Sequence, residues 1–129
     1  LDSFIQKRCE LAKYYDGSFS NIENLIIPIV QRDVEHSYHL YPLQIDFEKM
    51  SLTKVNFFEK MKKAGINLQV HYIPIHLQPF YKKNYGFQQG DFPISERFYQ
   101  NELSLPIYPD LSDKNVSLVI DSILEIIPT

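Results

Sequence analysis

The chain predicts an α+β domain: a small, mostly antiparallel sheet flanked by helices. Three observations carry that reading. Apolar residues recur at three- and four-residue spacing near residues 2–15, 53–64 and 113–127, the signature of helices with one buried face. Between them lie short stretches rich in β-branched and aromatic residues, at 24–30, 35–46, 66–72 and 103–108. The links are short, with no repeat, low-complexity tract or interdomain linker, so strands and helices pack into one unit.

Taken in order, residues 2–15 place Ile5, Cys9 and Ala12 on one helix face, with Phe4, Arg8 and Leu11 alongside, and Asp16-Gly17 as the stop. Residues 24–30 read as an edge strand because Pro28 cannot donate to a ladder. After the polar turn Gln31-Arg32-Asp33, residues 35–46 are the longest strand candidate, apolar or aromatic on both alternations and therefore covered on both faces. Ser51, Leu52 and Thr53 offer N-cap choices for a helix to Ala64, with Val55, Phe57, Phe58 and Met61 buried and Gly65 as the stop. Lys54, Lys60, Lys62 and Lys63 form its wet side.

Residues 66–72 are the next strand, running into the densest feature of the chain, His71-Tyr72-Ile73-Pro74-Ile75-His76-Leu77-Gln78-Pro79-Phe80-Tyr81. Two prolines exclude continuous helix or central strand, leaving a stiff loop of polar aromatics. A short helical turn follows at 79–84, broken at Tyr85-Gly86, and Pro93 opens a helix to about Glu102. Leu103-Ser104-Leu105-Pro106-Ile107-Tyr108 is a brief extended segment. Ser112-Asp113 caps a last helix with Val116, Val119, Ile120, Ile123, Leu124 and Ile127 on one stripe.

Composition narrows the function classes. A net charge of −3 without a basic stripe argues against nucleic acid. No apolar run approaches the ~20 residues of a membrane span, and no signal peptide is visible. The single Cys9 excludes an internal disulfide and fits a reducing, cytoplasmic setting. The chain opens at Leu1, already inside a helical pattern, which points to a piece of something longer.

Chemistry-bearing residues are few. His36 and His39 stand three apart, on opposite faces of a strand, and cannot chelate one ion together; they read as hydrogen-bonded, partly buried sheet histidines. No zinc-like pairing of ligands occurs, so no metal is expected. Ser37, Ser95, Ser104 and Cys9 lack a nucleophile's context, and no phosphate-cradling glycine loop exists. The proline loop stands apart. Tyr72, His76, Phe80 and Tyr81 either pack on the sheet or wall a ligand, their hydroxyls and imidazoles bonding sugar hydroxyls or phosphate.

At these residues the chain resembles the C-terminal part of the DegT-type, pyridoxal-phosphate-dependent nucleotide-sugar aminotransferases. The matching pieces run in order: Phe4-Ile5-Gln6-Lys7-Arg8 with Ala12 and Tyr14; His36-Ser37-Tyr38-His39-Leu40-Tyr41; Gly65 through Pro79 with its Gln69-Val70-His71-Tyr72-Ile73-Pro74-Ile75-His76 core; Phe92-Pro93 with Glu96; Leu103 through Pro109; and the closing helix from Val116 to Ile120. The wording is most similar to the branch that aminates a 4-keto UDP-sugar, as in pseudaminic acid synthesis, with the spore-coat polysaccharide branch close behind.

That resemblance implies residues 1–129 are the small C-terminal domain of a fold-type-I, aspartate-aminotransferase-like enzyme. The absent large domain would supply the cofactor lysine and bind pyridoxal phosphate (PLP). It further implies L-glutamate as amino donor, a UDP-type keto sugar as acceptor, a cytoplasmic homodimer, and His71, Tyr72 and His76 as substrate-binding residues. No catalytic residue is carried over to this chain, which alone is expected to be inactive. Where many relatives have arginine near the start of the middle helix, this chain has Thr53-Lys54. The competing reading is a stand-alone module that binds a nucleotide sugar or a protein through the same loop.

Overall fold

The computed structural model describes residues 1–127. Five helices surround a three-stranded antiparallel sheet: α1 (Asp2–Phe19), β1 (Leu25–Ile26), β2 (Tyr41–Ile45), α2 (Lys54–Lys63), α3 (Pro79–Tyr85), α4 (Pro93–Asn101), β3 (Glu102–Leu105) and α5 (Asp113–Ile126). A single 3₁₀ turn, Ile75–Leu77, interrupts the proline loop. The α+β architecture expected from the sequence is the one observed.

β2 is the central strand. It pairs with β1 through Leu25 opposite Ile45, and with β3 through Tyr41 opposite Leu105 and Leu43 opposite Leu103. Directly opposed residues share a face. One face therefore presents Tyr41, Leu43, Ile45, Leu103 and Leu105, all buried in a core shared with Leu11, Tyr15 and Phe19 of α1, Phe57 and Met61 of α2, and Val116, Val119 and Ile123 of α5. The other face presents Pro42 opposite Ser104 and Gln44 opposite Glu102. That second face, polar and partly covered, supports the site.

Two hydroxyls tie α1 to the sheet. Tyr15 donates to the Pro106 carbonyl at 2.8 Å and Tyr41 donates to Asp16 Oδ1 at 2.7 Å, with the two rings 4.9 Å apart. Burial is the main reason both phenols ionise only well above their ordinary value, and for Tyr41 the hydrogen bond to Asp16 adds to it.

Several boundaries differ from the sequence expectation, each for a tertiary reason. α1 passes through Gly17 to Phe19, because Phe19 is fully buried and its burial outweighs the modest helix penalty of one glycine. Phe4 is exposed rather than packed. The long strand expected at 35–46 shrinks to Tyr41–Ile45: Tyr38 adopts a left-handed φ of 46°, and its N–H donates to His36 Nδ1, a local turn that a ladder cannot contain. His36 and His39 are consequently exposed loop residues, not sheet histidines. β2 itself is buried on one alternation and half-buried on the other.

The strand expected at 66–72 contributes one bridge only, Gln69 opposite Ser104. Val55 of α2 faces solvent, while Thr53 provides the cap by accepting from Asn56 N–H. Gly65 and Gly86, with φ of 82° and 73°, end α2 and α3 as expected. Leu124 turns partly outward from the α5 stripe.

Candidate functional site

β3 carries Glu102 and Ser104 two residues apart, so both project from the same, outer face. The backbone of Gln69 bridges to Ser104, which brings the start of the proline loop across that face. His71 then lands on both side chains: its N–H donates to Glu102 Oε2 at 3.0 Å, and its Nδ1 lies 2.8 Å from Ser104 Oγ. Ser104 Oγ in turn donates to Glu102 Oε1 at 2.6 Å. Glu102 is fully buried and Ser104 nearly so. A cavity of about 340 Å³ opens beside this cluster, bordered by His39, Gln69, His71, Ser104 and Tyr108.

Tyr72 follows on the loop. It is 73% exposed, with its ring edge-on to His71 at 4.7 Å. His76 behaves oppositely: it is buried, with Nε2 2.8 Å from Glu96 Oε1. Glu96 also accepts from the N–H groups of Gly90 and Phe92. The His76 bond first, then these backbone donors, hold its carboxyl below the usual glutamate range. Glu96 thus closes the start of α4 and pins the 3₁₀ turn to it. A second cavity, about 310 Å³, lies between His76, Tyr81, Phe87 and Phe92. The three residues singled out from the sequence therefore do not converge on one cavity. His71 borders one cavity with the Tyr72 ring against it, and His76 borders the other.

This arrangement sets an exposed phenol beside an imidazole held by a buried polar cluster. The DegT/DnrJ/EryC1/StrS aminotransferase profile matches residues 1–124. The chain belongs to that family. It is 43% identical over 122 residues to an uncharacterized protein of Methanocaldococcus jannaschii, covering 95% of this chain and 32% of the relative. It is 38% identical over 128 residues to the spore coat polysaccharide biosynthesis protein SpsC of Bacillus subtilis, covering 98% and 33%. Among solved structures, PseC of Helicobacter pylori, an aminotransferase involved in pseudoaminic acid biosynthesis, superposes with a TM-score of 0.83 at 30% identity, over 95% of this chain and 32% of that one. The fold is that of the small domain of fold-type-I, DegT-type aminotransferases, and the chain spans about a third of the length of these relatives.

The family's cofactor chemistry can be tested against the residues present. Lys54 is the lysine whose ammonium is driven down by burial, an effect that the Glu102 carboxylate partly opposes. Its Nζ is committed, donating to the Tyr99 carbonyl at 2.7 Å and lying 5.2 Å from the Tyr99 ring centre. It caps the C-terminal turn of α4, where a cation is favourable. This corrects the expectation that Lys54 lies on the wet side of α2. With its Nζ so engaged, Lys54 is not presented as a free amine to a PLP aldehyde.

Among the described residues no group of three His, Cys, Asp or Glu side chains converges as a metal site. Cys9 is half-buried, its Sγ 3.5 Å from the His36 carbonyl. No helix among the described residues is long and apolar enough to cross a membrane.

Sequence reading overlooked Glu102 and Ser104 as partners of His71. Placing Glu102 at the end of a helix hid its two-residue spacing from Ser104 on one strand face. The usable signal was an acidic residue two before a serine in an otherwise apolar run.

Proposed function

We propose that this chain, residues 1–129, is the C-terminal small domain of a PLP-dependent aminotransferase that transfers an amino group from L-glutamate to a 4-keto UDP-sugar. The product would feed surface polysaccharide or nonulosonic acid synthesis. In this reading the large domain, outside this chain, binds PLP, which supplies the electron sink for amino transfer. The whole enzyme is a cytoplasmic homodimer, and this chain alone is inactive. The family match and the names of its relatives support the reading at the level of sugar-modifying aminotransferases.

The observation that carries the site assignment is His71 at the border of a polar cavity, with the exposed Tyr72 ring edge-on against it. An exposed phenol and an adjacent imidazole offer hydrogen bonds to hydroxyls, while their ring faces cover the apolar side of a sugar. His76 contributes indirectly in this scheme, by holding the loop through Glu96. The residues of this chain orient the acceptor and exclude water; they move no proton.

The test uses the full-length enzyme. Tyr72→Phe and His71→Asn should each raise the sugar-nucleotide KM by about tenfold, the equivalent of one hydrogen bond of roughly 1.4 kcal/mol. The half-reaction with L-glutamate should be unchanged. Unaltered sugar-nucleotide KM and kcat in both variants would remove the site assignment.

A further inference from the structure

We infer that Glu102 and Ser104 are positioning residues that lock the His71 imidazole in its Nδ1–H form, leaving Nε2 as a hydrogen-bond acceptor for a neutral donor group. The argument is a count of protons. Both carboxylate oxygens of Glu102 are acceptors: Oε2 takes the His71 N–H and Oε1 takes a bond of 2.6 Å from Ser104. A serine hydroxyl has one proton, and here it points at Glu102. The Ser104 Oγ that lies 2.8 Å from His71 Nδ1 must then act there as acceptor, so Nδ1 carries the hydrogen. The relay reads His71 Nδ1–H to Ser104 Oγ–H to Glu102.

Burial makes the lock firm. Glu102 is fully inaccessible and Ser104 almost so, which keeps water from offering either group a substitute partner. Lys54 lies close enough for the Glu102 carboxylate to favour its charged form. The order also separates this cluster from a hydrolytic triad, in which the histidine stands between serine and acid. Here the serine is central, buried and already donating, so it is not a nucleophile.

With Nδ1 engaged, the opposite ring nitrogen has no hydrogen-bond partner among the described residues and is not among their buried, unpaired atoms. A neutral imidazole in this tautomer presents a lone pair at Nε2. It accepts from a hydroxyl or N–H and is a poor match for a phosphate oxygen, which also offers only lone pairs. The identification of that donor as a hydroxyl of the sugar nucleotide rests on the function proposed above; the tautomer does not.

Long-range ¹H–¹⁵N correlation spectra of the full-length protein, labelled at histidine, test the lock without sugar. The His71 signals are assigned by their loss in His71→Asn. The expected result is a protonated Nδ1 and an unprotonated Nε2. Glu102→Gln should invert this: its amide oxygen keeps the His71 N–H, its amide NH₂ donates to Ser104, and the serine hydroxyl turns to donate to Nδ1. The ratio of tautomers should then move by about tenfold towards Nε2–H. Ser104→Ala, which removes the acceptor, should relax it towards that of a solvated histidine. A wild-type spectrum dominated by Nε2–H overturns the inference by itself, whether or not the variants fold. So does a folded Glu102→Gln chain with the wild-type ratio. Because the readout involves no reaction, its failure is distinct from failure of the aminotransferase assignment.

Discussion

His76 Nε2 lies 2.8 Å from Glu96 Oε1, and this buried pair joins the proline loop to the first turn of α4. The same carboxylate accepts from Gly90 and Phe92, so one acid organises three segments. Its folded pKa is depressed below the ordinary 4.5. A depressed carboxylate contributes stability that is complete above the unfolded value and is lost as pH falls through the folded one. Glu96→Gln should therefore unfold at lower denaturant than wild type at neutral pH. The gap between the two should narrow as the solution is acidified below about 4.5. Parallel urea titrations across that range provide the check; a gap independent of pH would show that the charge of Glu96 is irrelevant.

The paired phenols of Tyr15 and Tyr41 give the opposite edge of the pH profile. Both ionise above the ordinary value of 10.0 in the folded chain. Above that pH the unfolded chain releases protons that the folded chain retains, so stability falls as pH rises. Tyr15→Phe should cost about 1–2 kcal/mol at neutral pH through the lost bond to Pro106 and should flatten the alkaline decline. Denaturant titrations at neutral and alkaline pH report both effects.

Lys54 separates charge from packing. Lys54→Met retains an apolar stem while deleting the ammonium, and it should change stability by less than about 1 kcal/mol, because relief from desolvation offsets the lost cap on Tyr99. Lys54→Ala removes the stem as well and should cost about 1–2 kcal/mol. Thermal unfolding of the two variants side by side decides; equal losses would assign the whole effect to the charge.

Gly86 isolates a backbone effect. Its φ is 73° and a Cβ there would meet nothing within 4 Å. Gly86→Ala should thus cost only the conformational penalty of a left-handed alanine, about 1 kcal/mol. A much larger loss by chemical denaturation would reveal a packing role that the surroundings do not contain.

The helices were legible in the sequence because their information is local: α2 and α5 begin at Thr53 and Ser112, each accepting from the N–H three residues on. The sheet was less so. Residues 35–40 have strand composition but no strand partner among the described residues, and Tyr38 turns the chain before pairing starts at Tyr41. At the site, the aromatic pattern around His71 and Tyr72 was visible, and it formed one of the ordered matches on which the resemblance to the family rested. The Glu102–Ser104 support was not, since it depends on residues 31 and 33 positions away in the chain meeting at one strand face. The inward turn of His76 was hidden for the same reason, its partner lying 20 positions downstream.

No residue of α3 is buried, yet the helix carries Phe80, Tyr81 and Tyr85, whose rings continue through Phe87 to Phe92. Such a greasy ridge, on a molecule with a net charge of only −3, makes colloidal behaviour depend on ionic strength. Added salt screens the weak mutual repulsion and leaves the ring-to-ring attraction intact. Concentrated solutions should scatter more light as sodium chloride rises, and Tyr85→Glu, which breaks the ridge and raises the net negative charge, should clear them.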